Sequence, residues 1–330
     1  MLLFSAKSMR HAGIALLIAG AALGVGMSAA QAQAQPRILS GFPPGGAVDA
    51  LARIFAEKLS EALGRAVIVD TRAGAGGQIA AQALKAGPPD GNTLMVAPDT
   101  LMTLYPHTVT KPAFDTLADF APVAHLGGYP FGLAVGAAVP AADLKEFVAW
   151  TKGNRGDINY GGGGVGTTAH FLGLMIGEAT GVPMSHVPYK GVGPALTDLV
   201  AGHLPVVLLP LGTLLPQASA GKLRVLAHSG ARRSSTAPDV PTFVELGYPS
   251  VQSSGWFGLF APARTPPDVV NRYNDIVIQS TRTSATRDRL RMLDLEIREL
   301  KPGEIAAALR TEYDRWGPVV KASGFSAQSQ

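Results

Sequence analysis

The chain has 330 residues, room for two medium-sized domains, yet only 16% are charged and the formal net charge is +4. So small and scattered a positive excess excludes an electrostatically driven nucleic-acid binder. No cysteine is present, which excludes disulfides, thiolate metal sites, a cysteine nucleophile and a lipid-modified N-terminal cysteine.

Residues 1–34 read as a secretory signal. Lys7, Arg10 and His11 form a basic start, and Ala12 to Met27 is an uncharged apolar run. Ala30-Gln31-Ala32 and Ala32-Gln33-Ala34 are small-x-small cleavage sites. The run is short for a membrane span and rich in Ala and Gly, so cleavage near Ala34 is expected. A soluble, exported chain from Gln35 would result. Without Lys7 and Arg10 its net charge falls by two, to +2.

Ile38-Leu39-Ser40 reads as the end of a first strand. Gly41-Phe42-Pro43-Pro44-Gly45-Gly46-Ala47-Val48-Asp49 follows, and then Leu51, Ile54, Phe55, Leu59 and Leu63 recur at helical spacing. A strand that passes through glycines into a helix N-terminus leaves backbone N–H groups uncovered beside a partial positive charge, which suits an anion. The plainer reading is a tight connection with Asp49 as a partner of the helix dipole. The same joint recurs at Arg72 to Gln78, after Ala66 to Val69, and at Tyr160 to Thr168, after Asp157-Ile158-Asn159. A shorter version is Val187 to Gly193. In α/β sheets such joints lie at the carboxyl ends of strands, where ligands bind.

The helix Gln78 to Ala86 ends in the turn signal Gly87-Pro88-Pro89-Asp90-Gly91. Thr93 to Ala97 is a buried strand emptying into Pro98-Asp99-Thr100, completing a β-α-β-α-β unit with parallel strands. Phe120 to Ala137 is a long apolar segment expected to cross between two lobes. Four further pairs of helix and strand run from Leu144 to His228. Gly255 to Ala261 is a second crossing segment, paired with the first. Val269 to Met292 is expected as one long helix, Leu295 to Leu300 as a strand and Glu304 to Lys321 as the last helix. The expected architecture is thus α/β and two-lobed with a cleft. Residues 1–34 are the signal, 35–126 with 256–330 form one lobe, and 127–255 form the other.

Most catalytic signatures are missing. Gly161 to Gly166 formally satisfies G-x-G-x-x-G, but the next strand ends in His186-Val187-Pro188-Tyr189-Lys190, without the acidic residue a dinucleotide ribose needs. There is no Walker motif and no nucleophile elbow. His107, His125, His170, His186, His203 and His228 are scattered without metal-ligand spacing. No carboxylate pair stands out. Binding without turnover, cofactor or metal is the expectation.

Seven motifs then appear in order: Phe42 to Arg53, Arg72 to Gly77, Pro89-Asp90-Gly91, Gly166 to His170, Val187 to Gly191, Pro238 to Thr242 and Gly258 to Pro262. The whole mature chain resembles the Bug family, the TctC-like periplasmic receptors of tripartite tricarboxylate transporters. The resemblance implies a type II periplasmic-binding-protein fold and a small organic carboxylate as ligand, often through bridging waters. It implies delivery to membrane transporter subunits by a monomer that binds no nucleic acid. A receptor presenting its closed form to a membrane kinase is the alternative reading.

Carried onto this chain, the ligand-binding candidates are Phe42, Gly45, Gly46, Ala47 and Asp49, then Gly76, Gly77 and Gln78, then Gly164, Thr167, Thr168 and His170. Asp99, Thr100 and Tyr189 complete the set. Each has a structural reading beside it. Thr167 and Thr168 can cap a helix. Asp49 can brace its loop. His170 can be a structural histidine. Arg72 can be a carboxylate clamp or half of an ion pair. Trp256 can pack at the hinge. Ala47-Val48 stands where the family usually has Pro-Thr or Pro-Ser, and Asp99 where a small polar residue is usual. Asp99 is therefore expected to accept a ligand ammonium, favouring a ligand with both a carboxylate and a donor.

Overall fold

The computed structural model describes residues 35–153, 157–189 and 191–325; the expected signal and Lys190 lie outside the described residues. Strands β1 (Arg37–Ser40), β2 (Ile68–Thr71) and β3 (Thr93–Pro98) are parallel, with Leu39 opposite Asp70 on one side and Met95 on the other. Helices α1 (Ala47–Leu63) and α2 (Gln78–Lys85) connect them. In α1, Leu51, Ala52, Phe55 and Leu59 are buried at helical spacing. Gly64 ends the helix in the left-handed region (φ 66°), its N–H reaching Ser60 O at 3.0 Å.

The 17-residue strand β4 (Phe120–Gly136) follows. Then come α3 (Leu144–Lys152), β5 (Ile158–Gly161), α4 (Thr168–Thr180), β6 (Met184–Val187), α5 (Val192–Ala201), β7 (Val206–Pro210), α6 (Leu211–Ser219) and β8 (Leu223–His228). Strand β9 (Ser254–Pro262) and helices α7 (Pro267–Thr281), α8 (Ser284–Met292) and α9 (Pro302–Ala322) complete the chain. Strand order is β2-β1-β3-β9-β4-β7-β5-β6, with β8 also on β4. The two crossing strands are β4 and β9. Residues 120–130 of β4 pair antiparallel with β9, and from Phe131 the strand pairs with β7, then with β8 from Gly132.

Alternate residues along the strands feed different cores, as the period of two requires. Ile38, Leu94, Val96, Phe257 and Leu259 join α1 and α7 residues in one core, and Leu39, Met95, Ala97, Trp256 and Phe260 join α2 and α9 residues in a second. Beyond Phe131, Val206 and Leu208 face a core with Phe147, Tyr160 and Phe243. Val207 and Leu209 face another with Leu199 and Leu214. Tyr129 packs on the cores of both halves, so the two lobes meet there.

Two elements differ from expectation. The expected long helix breaks at Arg282-Thr283. Hydroxyls of Ser280, Thr281 and Thr283 bond back to Val277, Ile278 and Ser280 carbonyls, and Thr283 Oγ1 caps the new helix at Thr286 N. Such local bonds compete with the helix ladder. Leu295 to Leu300 forms no strand. Only Glu296 pairs, exchanging two backbone bonds with Gly128 at 2.8 and 2.9 Å. The β4 register shifts between His125 and Gly127, and Gly127 lies at φ 142°, so the edge bends away before a ladder can form.

Candidate functional site

The first two glycine joints are pressed together. A Cβ on Gly41 would stand 2.7 Å from Gly77 Cα. One on Gly77, itself at φ 96°, would stand 2.8 Å from Leu101 Cδ2 and 3.1 Å from the Phe42 ring. Phe42 is thus the partly buried wedge between the joints. Gly45, Gly46 and Gly76 have nothing within 4 Å of an added Cβ and are exposed. Helices α1 and α2 begin at Gly46 and Gly77 without any side-chain cap. At α2 the Gly77 and Gln78 amides turn back to Gly74 O and Ala75 O, so N–H groups left for a ligand there lie further into the first turn.

The third joint repeats this. Thr167 precedes α4 in an extended conformation, but its hydroxyl donates to Gly164 O at 2.8 Å and leaves the helix start uncapped. Thr168 is 1% exposed and its Oγ1 has no partner among the described residues. By contrast Asp115, Asp143 and Thr283 cap their helices with side chains. The helix after Gly191, in the short fourth joint, is also uncapped.

The turn Tyr105–Thr108 links the joints. Tyr105 donates its hydroxyl to Gln78 Oε1 at 2.9 Å, and Thr108 Cγ2 lies 3.7 Å from where a Gly166 Cβ would be. Phe325 covers the other side of Gly166 at 3.1 Å. Neither the strap nor this cover had a local signature, since each joins residues far apart in the chain.

Several candidates are braces. Asp49 Oδ2 accepts from Gly45 N at 3.1 Å and Arg53 Nε at 3.0 Å, and the Arg53 hydrogen bond holds its carboxyl below the usual range. His170 Nδ1 accepts from Gly166 N at 3.2 Å and its ring lies 4.6 Å from that of His186, so the imidazole shapes the third joint. Arg72 pairs with Asp70 at 3.0 Å.

Two candidates must be corrected. Asp99 is 1% exposed, and its Oδ1 accepts the Trp256 backbone N–H at 3.1 Å. Burial, and then the Glu312 charge, push its carboxyl well above the usual range. A buried carboxyl already committed to the Trp256 amide is not placed to receive a ligand ammonium. Thr100, beside it, is partly exposed and begins the short π-helical turn Thr100–Leu104. Tyr189 does not offer its hydroxyl to the cleft but donates it to Asp198 Oδ2 on α5, at 2.7 Å.

Backbone strain separates the glycines that build the site from those that face open space. Gly77→Ala is expected to cost about 1–3 kcal/mol, from positive φ and overpacking. Gly164→Ala, with nothing within 4 Å of its Cβ, should stay within about 0.5 kcal/mol. Urea unfolding of both variants checks this; equal midpoints would refute the packing of the first two joints.

The family described as "Tripartite tricarboxylate transporter family receptor" matches residues 51–325. The chain is 38% identical over 294 residues to the Cupriavidus necator "UPF0065 protein in gbd 5'region", across 87% of this chain and 88% of that one. An R. palustris protein solved with adipate is similar at 29% identity and TM-score 0.76, over 88% of this chain and 98% of its own. MatC from Rhodopseudomonas palustris, solved with bound malate, is 30% identical with TM-score 0.72, over 87% of this chain and 98% of its own.

Proposed function

Because the chain belongs to the tripartite tricarboxylate transporter receptor family, the Bug or TctC-like solute-binding proteins, we propose that it is a periplasmic receptor for a small organic carboxylate. It captures the anion in the cleft and hands it, unchanged, to membrane transporter subunits. The observation that carries this reading is the set of three uncapped helix N-termini, at Gly46, Gly77 and Thr167, two of them pressed together and linked by Tyr105–Thr108 to the third. Free amides and partial positive charge attract an anion there. The orphan Thr168 hydroxyl adds one side-chain donor. Relatives that hold adipate and malate support a dicarboxylate.

The closing motion is a hinge between residues 35–126 with 256–330 and residues 127–255. It bends where β4 leaves β9 for β7, at Pro130-Phe131. Export of the chain after removal of residues 1–34 puts this receptor in the periplasm.

Thermal unfolding of the mature chain, refolded free of carried-over ligand, tests the reading. The panel spans di- and tricarboxylates, acidic amino acids, aromatic acids and uncharged sugars. A ligand at a hundred times its Kd adds about 2.7 kcal/mol, a rise of about 4 °C for a chain of this size. A rise confined to certain acids supports the carboxylate receptor. A rise with sugars alone would overturn it.

A further inference from the structure

A cavity of about 510 Å³ lies at the edge of β4, and no residue of the three glycine joints lines it. Its lining includes His125, Tyr129 and Trp256 on the crossing strands, Arg298 and Glu312 from the C-terminal part, and Arg232 from the loop after β8. It therefore draws on both halves of the sheet where their cores meet at Tyr129.

Three of these groups make no side-chain hydrogen bond among the described residues. His125 is 8% exposed, its ring stacks on Trp256 at 5.6 Å, and its buried Nδ1 has no hydrogen bond among the described residues. Burial first, then the Arg298 charge, hold it down to about 4, so at neutral pH it offers one donor and one acceptor. Arg232 and Arg298 are exposed and make no side-chain hydrogen bond or close ion pair among the described residues, although the Arg298 charge is felt at Glu312 and His125.

Two carboxyls also line the space. Glu312 Oε2 accepts from Trp256 Nε1 at 2.7 Å, and burial raises its pKa, which favours the uncharged form. Glu296 is bound through its backbone to Gly128. Arg232 and Arg298 bring two guanidinia to a lining that also holds the orphan His125 ring. An unpaired, nearly buried imidazole costs free energy that a bound polar group would recover.

We propose that this cavity is a second ligand site, taking a small carboxylate between the Arg232 and Arg298 guanidinia and the His125 ring. The bound anion bridges the loop after β8 and the C-terminal part at the lobe junction. The assignment does not rest on the glycine joints: the cleft panel can fail without affecting it.

Fluorine NMR of the mature chain labelled with 5-fluorotryptophan tests it, since Trp150, Trp256 and Trp316 are the three tryptophans. Trp256→Phe assigns the resonance at the cavity. Sodium acetate, succinate and adipate are the probes, with sodium chloride at matched ionic strength as control. The expected result is a saturable shift of the Trp256 resonance whose midpoint rises at least tenfold in Arg298→Ala and stays put in Thr168→Val. A shift that follows Thr168→Val instead, that is insensitive to Arg298→Ala, or that chloride reproduces would overturn the proposal. So would no shift with any of the three acids.

Discussion

Gly173→Ala is expected to destabilise the protein by about 2–3 kcal/mol, although alanine is the better helix former by roughly 1 kcal/mol. Gly173 sits inside α4 and directly against the Tyr160 ring of β5. An added Cβ would fall within the space of the ring and hydroxyl. The ring has nowhere to go, being fully buried, with its hydroxyl donating to His170 O at 2.6 Å. A methyl must therefore push α4 off the sheet or force Tyr160 from its rotamer. Moving α4 also displaces Thr168 and the third joint, so ligand affinity should fall with stability. Urea unfolding of Gly173→Ala, Tyr160→Leu and the double variant checks the cause. The double variant should lose clearly less than the sum of the singles, because the smaller residue makes room. Simple additivity would place the fault elsewhere in the helix.

Acidification from pH 7 to 4.5 is expected to remove about 2–3 kcal/mol of stability through His125 alone. Burial holds its folded pKa near 4, against about 6.5 when unfolded. Between these values the unfolded chain binds more protons than the folded one, so stability is complete above about 6.5 and is lost as pH falls through the window. His186 is held near 4 too, by burial and then by His170, and acts in the same direction. Asp99 and Glu312 act in the opposite sense. Their raised pKa values make stability fall as pH rises from the usual carboxylate range to the raised one. The test must therefore isolate one group. His125→Phe keeps a ring against Trp256 and removes the titration. Relative to the parent, this variant should gain about 2–3 kcal/mol between pH 7 and 4.5 in guanidinium unfolding. Parallel pH profiles would refute a buried neutral imidazole.

Much of the fold could be read along the chain because local chemistry specifies it. The helical spacing of Leu51, Phe55 and Leu59 and the stop at Gly64 are near-neighbour effects, as is the alternation of Val206 to Leu209 between two cores. The three glycine joints were legible for the same reason. Each is a strand end, a glycine run and a helix start within about ten residues. The misread segments were local competitions that periodicity does not register: hydroxyl-to-backbone bonds splitting the helix at Thr283, and a bulge at Gly127 denying Leu295–Leu300 a ladder.

What the joints do together was decided elsewhere. Nothing near Gln78 announces that Tyr105 will strap it, nor does Gly166 reveal that Phe325 will cover it. Asp99 looked like an exposed strand-end carboxylate. It became a buried one only because β9 arrives from 157 residues away to donate the Trp256 amide and α9 brings Glu312 beside it. The sequence by itself determined the strands, the glycine joints and the family to which they belong, since these depend on neighbours along the chain. Tertiary structure alone decided which polar groups are satisfied, which stay orphaned and which carboxyls are pushed up from their usual pKa range. Burial and pairing are properties of residues brought together from distant parts of the chain.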